Sequence, residues 1–428
     1  MVSLLASDGA YDWIVRNGDA LLNSLNAGSV LGNSALVIAS DASPWQRTTG
    51  ATLQALGAPV WVCDGTDDNS QTQAAIDFLT GGGTILHSEG TFNWTGAVNP
   101  LSNQHITGMG DSTVINLQTA AANGFYVNTK QGVRISNLKI ASDAIKSDGA
   151  AVFWYACQYV YLDHIFFEDQ YWSVRQTGTT VSHISDCRMY DNVYGAIGID
   201  GAGVDLFLDN LSIAQPGNVH ATVGIYLNGL SGLYINNVAI GSHNYSVQAL
   251  PGALATVENV FASNLIMDHG DNYGLYISTE DGGTLTSWTF ANSWIATFGL
   301  GAYIKGVSGF SWDNGVIVNV GQHGLELATG TSKASVRGSK FYAVGNTAAN
   351  TYSDIAVDAG VSYFTIQGNQ CSNTGWSYST TPQCHVLVAV GGSDHYSIQG
   401  NLAIGAAGTA NFSDGGTGVN KVVANNVD

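Results

Sequence analysis

The chain has 428 residues, and 32 acidic residues against 13 basic ones give it a net charge of −19. No lysine or arginine cluster offsets this charge, so a nucleic-acid backbone would be repelled, and no nucleic-acid partner is expected. No apolar run approaches the roughly 20 residues of a membrane span, so membrane insertion is not expected either. Charged residues make up only 11% of the chain, well under the usual ~25%, whereas glycine reaches 53 residues. This composition favours a fold whose turns are built from glycine and asparagine.

The N-terminal segment, residues 1–35, shows no repeating pattern and is interpreted as an appendage or linker. The stretch from Met1 to Ala10 is too short and too polar to be a secretory signal peptide. We therefore expect either a truncated mature chain or export by a route that needs no such signal.

The next segment, residues 36–103, is interpreted as a small α/β module. Two short apolar runs, Leu36–Ala39 and Val60–Cys63, are typical of strands. Residues 73–79 have a polar start and an apolar middle, which predicts a capped helix. The acidic pair Asp67-Asp68 precedes this helix, and we expect it to accept the free N–H groups of the helix rather than to act in catalysis.

Between residues 104 and 428 a short motif recurs: an apolar residue, then a variable residue, then a third residue that is usually Asn, and then more apolar residues. The third position is occupied by Asn137, His164, Asp186, Asn210, Asn237, Asn264, Asn292 and Asn314. Successive occurrences are separated by 27, 22, 24, 27, 27, 28 and 22 residues. A period of this length indicates a solenoid.

The content of each repeat favours a parallel β-helix over a leucine-rich repeat. The apolar positions mix several residue types, and no helical stripe lies between them. Each repeat instead holds short alternating runs, such as Leu233–Ile235 and Gly274–Ile277, interrupted by Gly, Asn, Asp and Ser. Strands stacked roughly 4.8 Å apart would place the recurring Asn residues over one another. We therefore expect an amide ladder that satisfies buried groups at a tight turn.

A family resemblance becomes visible in four runs of the N-terminal part: Cys63–Asp68, Gly82–Ile85, Glu89–Phe92 and Ile106–Gly110. Together they resemble the N-terminal module of pectate-lyase-like right-handed β-helix proteins, which include bacteriophage tailspikes and capsule or lipopolysaccharide depolymerases. The resemblance implies an all-β fold, a right-handed single-stranded parallel β-helix with a small N-terminal α/β cap whose helix plugs the open end of the solenoid.

The same resemblance implies a bacterial surface polysaccharide as partner, a homotrimer, and a virion tail or another extracellular location. It does not fix the reaction, because this fold hosts lyases, hydrolases, epimerases and binding proteins.

In the family, the strand that follows the Asn corner by one loop lines a substrate groove. Here those strands are predicted at residues 171–176, 196–200, 224–228, 245–250, 274–278, 301–305 and 324–328. The loops around them hold many of the few titratable groups of the chain. Cleavage of a glycosidic bond needs two carboxyl groups, about 5–5.5 Å apart for retention or 6.5–9.5 Å apart for inversion.

The preferred catalytic cluster combines four acidic residues with supporting histidines and aromatic residues. The acids are Asp268, Asp271, Glu280 and Glu326; the supporting residues expected to bind substrate are His269, His323, Tyr273, Tyr303 and Lys305. The run Gly321–Leu325 faintly resembles the Gly-His-Gly element of polygalacturonases, but the rest of that branch's active-site set is absent. The alternative, that these residues only cap turns or bind water, stays open.

A second cluster is Glu168, Asp169, Arg175 and Asp191, in which Glu168, Arg175 and Asp191 are further candidates for binding substrate. Arg175 either takes part in function or simply neutralises these carboxylates. The isolated histidines His220 and His243 are interpreted as hydrogen-bonding residues of loops.

Plentiful carboxylates and few cations favour hydrolysis of a polysaccharide. Only Arg175 and Lys305 are basic on the predicted groove strands, whereas a lyase acting on uronates needs cations or calcium to stabilise developing charge. A lyase and a non-catalytic glycan-binding receptor protein remain as alternatives. No residue spacing predicts a metal site or a cofactor, and calcium on loop carboxylates is without support in the sequence. Cys371 and Cys384 flank an insertion and either form a disulfide or stay free.

Overall fold

The structure is a computed structural model that describes residues 33–216, 221–374, 380–405 and 407–427. The interpreted N-terminal appendage lies outside these residues except at its last three positions, and His220 also lies outside them. No helix in the described parts of the chain combines the length and apolar character that crossing a membrane requires.

The N-terminal module contains two helices and two short strands and packs against the first coil of the solenoid. Its elements are β1 (Ser34–Ile38), α1 (Pro44–Ala55), β2 (Val60–Val62) and α2 (Asn69–Phe78). Strand β1 pairs in parallel with β2 and with the solenoid strand Gly83–His87. Helix α1 begins at a capping box between Ser43 and Gln46. The predicted α/β cap is therefore present.

The role predicted for Asp68 is wrong. Its side chain makes no capping hydrogen bond to α2. Instead the buried carboxylate accepts the N–H groups of Gly65 at 3.0 Å and Asn93 at 2.8 Å, and so joins the loop before α2 to a solenoid strand. At the other end of α2, the buried Gln104 amide donates to the carbonyls of Ile76 and Leu79. These contacts anchor the helix to the first coil.

The solenoid consists of parallel strands on three faces, which we call A, B and C. Strands confined to face A are Phe125–Asn128, Ala150–Tyr155, Trp172–Thr177, His243–Ala249, Tyr273–Ser278, Leu300–Lys305, Leu325–Ala328, Ile355–Val357, Val386–Gly391 and Phe412–Gly416. Strands confined to face B are Gly83–His87, Thr180–Ser185, Thr284–Ala291, Val307–Asp313, Ser332–Arg337, Ser362–Gln367, Tyr396–Gln399 and Lys421–Ala424. Strands confined to face C are Gly90–Trp94, Arg188–Tyr190, Trp294–Ala296, Val316–Val320, Lys340–Val344, Gln370–Ser372 and Leu402–Ile404.

Longer strands bend from one face to the next. They are Gln104–Leu117, Arg134–Ala141, Gln158–Glu168, Gly195–Ala214, Ala221–Gly241 and Thr256–Asp268. The chain runs from face B through a corner to face C, then through a loop to face A. The predicted groove strands all lie on face A, paired in sequence order. The predicted all-β parallel β-helix is confirmed.

The recurring Asn residues lie at the corner between faces B and C because the backbone there is left-handed. Asn137, Asn210 and Asn264 have φ values of 53°, 54° and 53°, and Gly338 and Gly368 take the same place in later coils. Asn, Asp, His and Gly tolerate this conformation better than other residues. The repeat that dominates the sequence is thus a backbone requirement.

An amide ladder exists at this corner, but its burial differs from the prediction. The Asn237 amide donates to the Asn210 side chain at 3.0 Å, and both residues are exposed. A second ladder lies in the C-terminal coils, one residue after the corner: the buried Asn369 donates to the buried Asn401, and Asn401 donates to the partly buried Asn426, each at 3.0 Å.

The interior of the solenoid is a continuous apolar column of Ile, Val, Leu and Phe. All five cysteines are buried and free, so Cys371 and Cys384 do not form a disulfide. Where face C turns into face A, two rows of inward residues meet. On face C the row is Ile240, Met267, Ile295, Ile317 and Phe341. On face A a row of small residues precedes the first inward apolar residue: Ala196, Gly224, Ser246, Gly274, Gly301 and Gly324.

The small-residue row leaves no space for larger side chains. A Cβ atom on Gly301 would lie 2.2 Å from the Gly324 carbonyl oxygen and 2.8 Å from a methyl group of Ile317. On Gly224 it would lie 2.6 Å both from the Ser246 carbonyl oxygen and from Ile240. Backbone cannot yield as a flexible side chain can, so the corner requires small residues.

Gly301→Ala is therefore expected to lower the free energy of unfolding by ~1–3 kcal/mol, the usual cost of overpacking. Gly392→Ala is the matched control, because no atom lies within 4 Å of a Cβ at that position. Chemical denaturation of both variants checks the prediction. Equal stabilities would contradict the packing described for this corner.

Candidate functional site

The outward surface of face A carries one row of side chains contributed by successive coils, which we call the outward row. In order it comprises Phe153, Arg175, Gly198, Tyr226, Gln248, Tyr276, Tyr303 and Glu326. Parallel in-register pairing places each of these residues beside the next, although the sequence separates neighbours by 22 to 28 positions. Apolar neighbours of the row point inward, so the row itself faces solvent.

Four half-buried tyrosines form a cluster on this surface. Tyr276 and Tyr303 stack with ring centroids 5.4 Å apart and planes 12° apart, and Tyr245 and Tyr273 stack at 5.6 Å and 10°. Tyr273 also lies 4.8 Å from Tyr276, with the two rings tilted. A phenol ring offers an apolar surface together with a hydroxyl group. This cluster is suited to a ligand that has both apolar and hydroxyl-bearing faces.

Glu326 lies next to Tyr303 on the outward row. Burial raises the pKa of Glu326 to about 7, with a further contribution from the charge of Asp358. Asp358 follows the face A strand of the next coil, where Ala356 pairs with Glu326. A glutamate of this pKa holds its proton in a large fraction of molecules at neutral pH, which is the property required of a general acid.

Glu280 lies just beyond the strand Tyr273–Ser278, but it contacts the outward row. The Tyr276 hydroxyl donates to its carboxylate, and the Lys305 ammonium lies 3.8 Å away. Burial, together with Glu280, raises the pKa of Tyr276 well above its ordinary value. The hydroxyl therefore stays protonated and remains a donor to Glu280.

Glu280 and Glu326 act on the same patch of tyrosines. After burial, the charges of both carboxylates contribute to the raised pKa values of Tyr273 and Tyr303. Tyr276 and Glu326 belong to strands two positions apart, which is a backbone separation of about 9.6 Å at ~4.8 Å per strand. Glu280 and Glu326 thus lie beside the same group of tyrosines, but they are not on adjacent strands.

The structure divides the predicted catalytic cluster. Asp268 and Asp271 are exposed near the corner from face C to face A, before the strand Tyr273–Ser278, whereas Glu280 follows that strand. Five residue steps of ~3.3 Å separate the two ends of the strand by roughly 16 Å. That distance exceeds the separation of a catalytic carboxyl pair. Only Glu280 and Glu326 of the four predicted acids share a surface.

The polar residues at the corner from face C to face A have a conformational explanation. His269 and Asp191 have φ values of 61° and 53°, and Asp169 has 58°. These residues occupy equivalent left-handed positions in different coils, which favours Asp, His and similar residues. The expected roles of His269 and Asp191 in binding substrate therefore gain no support from their placement.

His323 joins two loops. Its Nδ1 accepts the N–H of Ser353 at 3.0 Å, and its ring contacts Tyr352 edge-on with centroids 5.3 Å apart. Burial lowers the pKa of His323, which suits an imidazole that accepts a hydrogen bond. These contacts show that His323 holds the two loops together. His243 is likewise buried, with Nδ1 2.8 Å from the Gly241 carbonyl oxygen.

The second predicted cluster is also divided. Arg175 does not neutralise the acids of that cluster, because its Nε lies 2.7 Å from Asp200 on the neighbouring face A strand. Glu168 instead pairs with Lys139 at 2.5 Å on face C. Burial, followed by the charges of Glu168 and Asp191, raises the pKa of Asp169. Arg175 thus belongs to the outward row, and the acids belong to the corner.

The sequence did not reveal Asp200 and Asp358 as members of the site. Asp200 is the last residue of a predicted groove strand, so its pairing with Arg175 follows from register that a single sequence does not display. Asp358 follows a strand separated from face C by the insertion 345–354, which interrupts the repeat. Among the described residues, a group with metal-binding geometry lies inside the solenoid, away from the outward row: Asp354, Cys371 and His385.

No protein-family model matches this chain, and no curated protein matches it significantly. Solved structures do match. Tailspike protein 3 of bacteriophage CBA120 superposes with a TM-score of 0.55 at 13% identity, over 97% of this chain and 70% of that one. A mutant tailspike of Escherichia coli bacteriophage HK620, in complex with a hexasaccharide, gives 0.54 at 14% identity over 85% and 68%. The A-module of Azotobacter vinelandii mannuronan C-5 epimerase AlgE6 gives 0.47 at 15% identity over 84% and 95%.

At 13 and 14% identity the two tailspike likenesses bear on the fold and not on the reaction. They agree with the column of parallel strands described above. The chain has a parallel β-helix fold of the bacteriophage-tailspike type.

Proposed function

We propose that this protein is a phage tailspike-like depolymerase that binds a bacterial surface polysaccharide on face A and cleaves it by glycosidic hydrolysis. The observation that carries the proposal is Glu326, an acid with a pKa of about 7 beside a stacked tyrosine pair on an open face. The HK620 tailspike, which shares the fold, binds a hexasaccharide. A virion-tail or other extracellular location, which the tailspike likenesses support, belongs to the same proposal, as does a homotrimeric assembly.

In this proposal Glu326 protonates the leaving glycosidic oxygen. Glu280 is the second carboxylate, oriented by the Tyr276 hydroxyl and by Lys305. We assign Glu280 the role of the base that activates a water molecule on the opposite side of the sugar ring, as in an inverting enzyme, whose two carboxyl groups lie about 6.5–9.5 Å apart. The strand of Tyr276, which holds Glu280 through its hydroxyl, and the strand of Glu326 are about 9.6 Å apart, which leaves room for that water.

The charge arrangement favours a hydrolase over a lyase. A lyase must stabilise the negative charge that develops next to a uronate carboxylate, and it uses cations for this purpose. On face A, Arg175 forms an ion pair with Asp200, and Lys305 forms one with Glu280. Their charges are already balanced, whereas a proton donor is present in Glu326.

Glu326→Gln should lower the rate of sugar release by ~10²–10⁴-fold while glycan binding persists, because the amide keeps the shape of the side chain but cannot donate the acid proton. The assay incubates the protein with a panel of capsular and lipopolysaccharide preparations and measures new reducing ends. Glu258→Gln, a partly buried glutamate on face B, is the matched control and should retain full activity.

Three results would contradict the hydrolase proposal. Unsaturated uronate absorbance in the products would identify a lyase. Binding without release by the unaltered protein would identify a receptor. Unchanged release by Glu326→Gln would remove Glu326 from the reaction.

The pH dependence tests the protonated form of Glu326. Since the acid must carry its proton, kcat/KM should fall as the pH rises through about 7. Asp358→Asn removes a like charge, lowers the pKa of Glu326 and should move this descending limb to lower pH by up to ~1 unit. Asp209→Asn on face B is the control. A limb that stays in place in Asp358→Asn would show that another group governs it.

Tyr303→Ala should weaken glycan binding roughly tenfold, which corresponds to ~1.4 kcal/mol. Tyr234→Ala is the matched control: Tyr234 is exposed on face B, and its ring is stacked between Phe207 and Phe261 at 4.7 and 5.7 Å. Because both faces of the Tyr234 ring are covered, it offers no stacking surface to a sugar. Titration calorimetry with an oligosaccharide product measures both affinities. Equal losses in the two variants would place the glycan elsewhere.

A further inference from the structure

The corner between faces C and A changes its chemistry in the C-terminal coils. Up to Gly324, face A contributes a small residue under an apolar residue of face C. In the next two coils Asp354 and His385 occupy the positions equivalent to Gly324 on face A. On face C, Cys371 occupies the position equivalent to Phe341. A carboxylate, an imidazole and a thiol thus occupy the interior, where the preceding coil packs Phe341 over Gly324.

The three side chains form a compact group that is closed to solvent. Asp354 is 1% exposed, and Cys371 and His385 are 0% exposed. The Cys371 Sγ, one carboxylate oxygen of Asp354 and one ring nitrogen of His385 all lie within 4.8 Å of one another. His385 Nδ1 lies 2.5 Å from the Asp354 carboxylate, and its Nε2 lies 3.4 Å from the Gly405 carbonyl oxygen. The Cys371 thiol also hydrogen-bonds to Asp354.

Packing alone does not account for this group. Taking a carboxylate out of water is unfavourable even when the carboxylate is paired, and one coil earlier the same corner is filled by the apolar side chain of Phe341 over Gly324. Small, closely spaced oxygen, nitrogen and sulfur donors from three separate strands and loops are what a borderline-soft divalent cation requires. We propose that Asp354, Cys371 and His385 form a structural Zn²⁺ site inside the solenoid.

The charges and protons balance in this arrangement. Zn²⁺ binds the Cys371 thiolate, one Asp354 oxygen and neutral His385 through Nδ1, and a water molecule takes the fourth tetrahedral position, so two negative charges offset the two positive charges. The thiol proton is released to solvent, and the imidazole proton resides on Nε2, which faces the Gly405 carbonyl. A backbone carbonyl at the second nitrogen is the usual outer partner of a metal-bound histidine. Such a site joins the starts of two face A strands to one face C strand.

The experiment uses the full chain, expressed with zinc in the medium and purified without chelators. We expect about one zinc per chain by elemental analysis, reduced at least tenfold in Cys371→Ser and His385→Gln. Cys187→Ser is the matched control and should keep its zinc, since Cys187 is also buried but donates to the Ser185 carbonyl. Removal of the metal should lower the unfolding temperature of the unaltered chain, and added Zn²⁺ should restore it.

A second measurement needs no variant. Adding Co²⁺ to the metal-free folded protein should give a thiolate-to-cobalt charge-transfer absorption that zinc abolishes. A zinc-free purified protein that shows neither this absorption nor a zinc-dependent shift in unfolding temperature would overturn the proposal. So would equal zinc contents in folded Cys371→Ser and the unaltered protein. Sugar release plays no part in these readouts, so the site is tested independently of the proposed hydrolase.

Discussion

The requirement that every coil return in register governs this structure. A parallel strand gains its hydrogen bonds only from the coils before and after it, so a coil that misses its register loses pairing on three faces together. The left-handed residue between faces B and C makes the return possible by turning the chain sharply within one position. Asn, Asp, His and finally Gly occupy that position because they tolerate positive φ. The apolar column inside the solenoid then stabilises a path that the corner has already fixed.

In-register stacking also explains how a site arises from residues far apart in the chain. Tyr276, Tyr303 and Glu326 meet because each has the same phase in its own coil. Loops that vary in length leave this phase unchanged as long as the following strand starts at the same place. Face A can therefore combine a rigid row of side chains with variable loops at its edges, which is an arrangement suited to binding on a scaffold.

The sequence predicted the fold and the position of face A, but it did not predict which side chains share a surface. The corner Asn sets the phase of each coil, so strands such as Tyr273–Ser278 were predicted to within one residue at their start. Asp268 and Asp271 were placed in the cluster because they are close to Tyr273 in the chain, but they lie before the strand and away from the outward row. Glu280 lies after the strand and contacts the outward row because it accepts a hydrogen bond from the Tyr276 hydroxyl. Asp358 escaped prediction because the insertion 345–354 interrupts the period. Asp354, Cys371 and His385 show no motif, since three different segments supply them.

Charge placement on face A gives the strongest physical reason to single out Glu326. In a stack of parallel strands, like charges on neighbouring coils repel at short distance, and a chain with only 11% charged residues has few means to offset them. Elsewhere on this face opposite charges are matched, as in Arg175 with Asp200 and Lys305 with Glu280. At Glu326 the nearby charge that affects the pKa is the like charge of Asp358, and both this charge and burial raise the pKa. A fold that only needed stability would gain from replacing either acid, whereas a proton donor at neutral pH needs both burial and an unmatched neighbour.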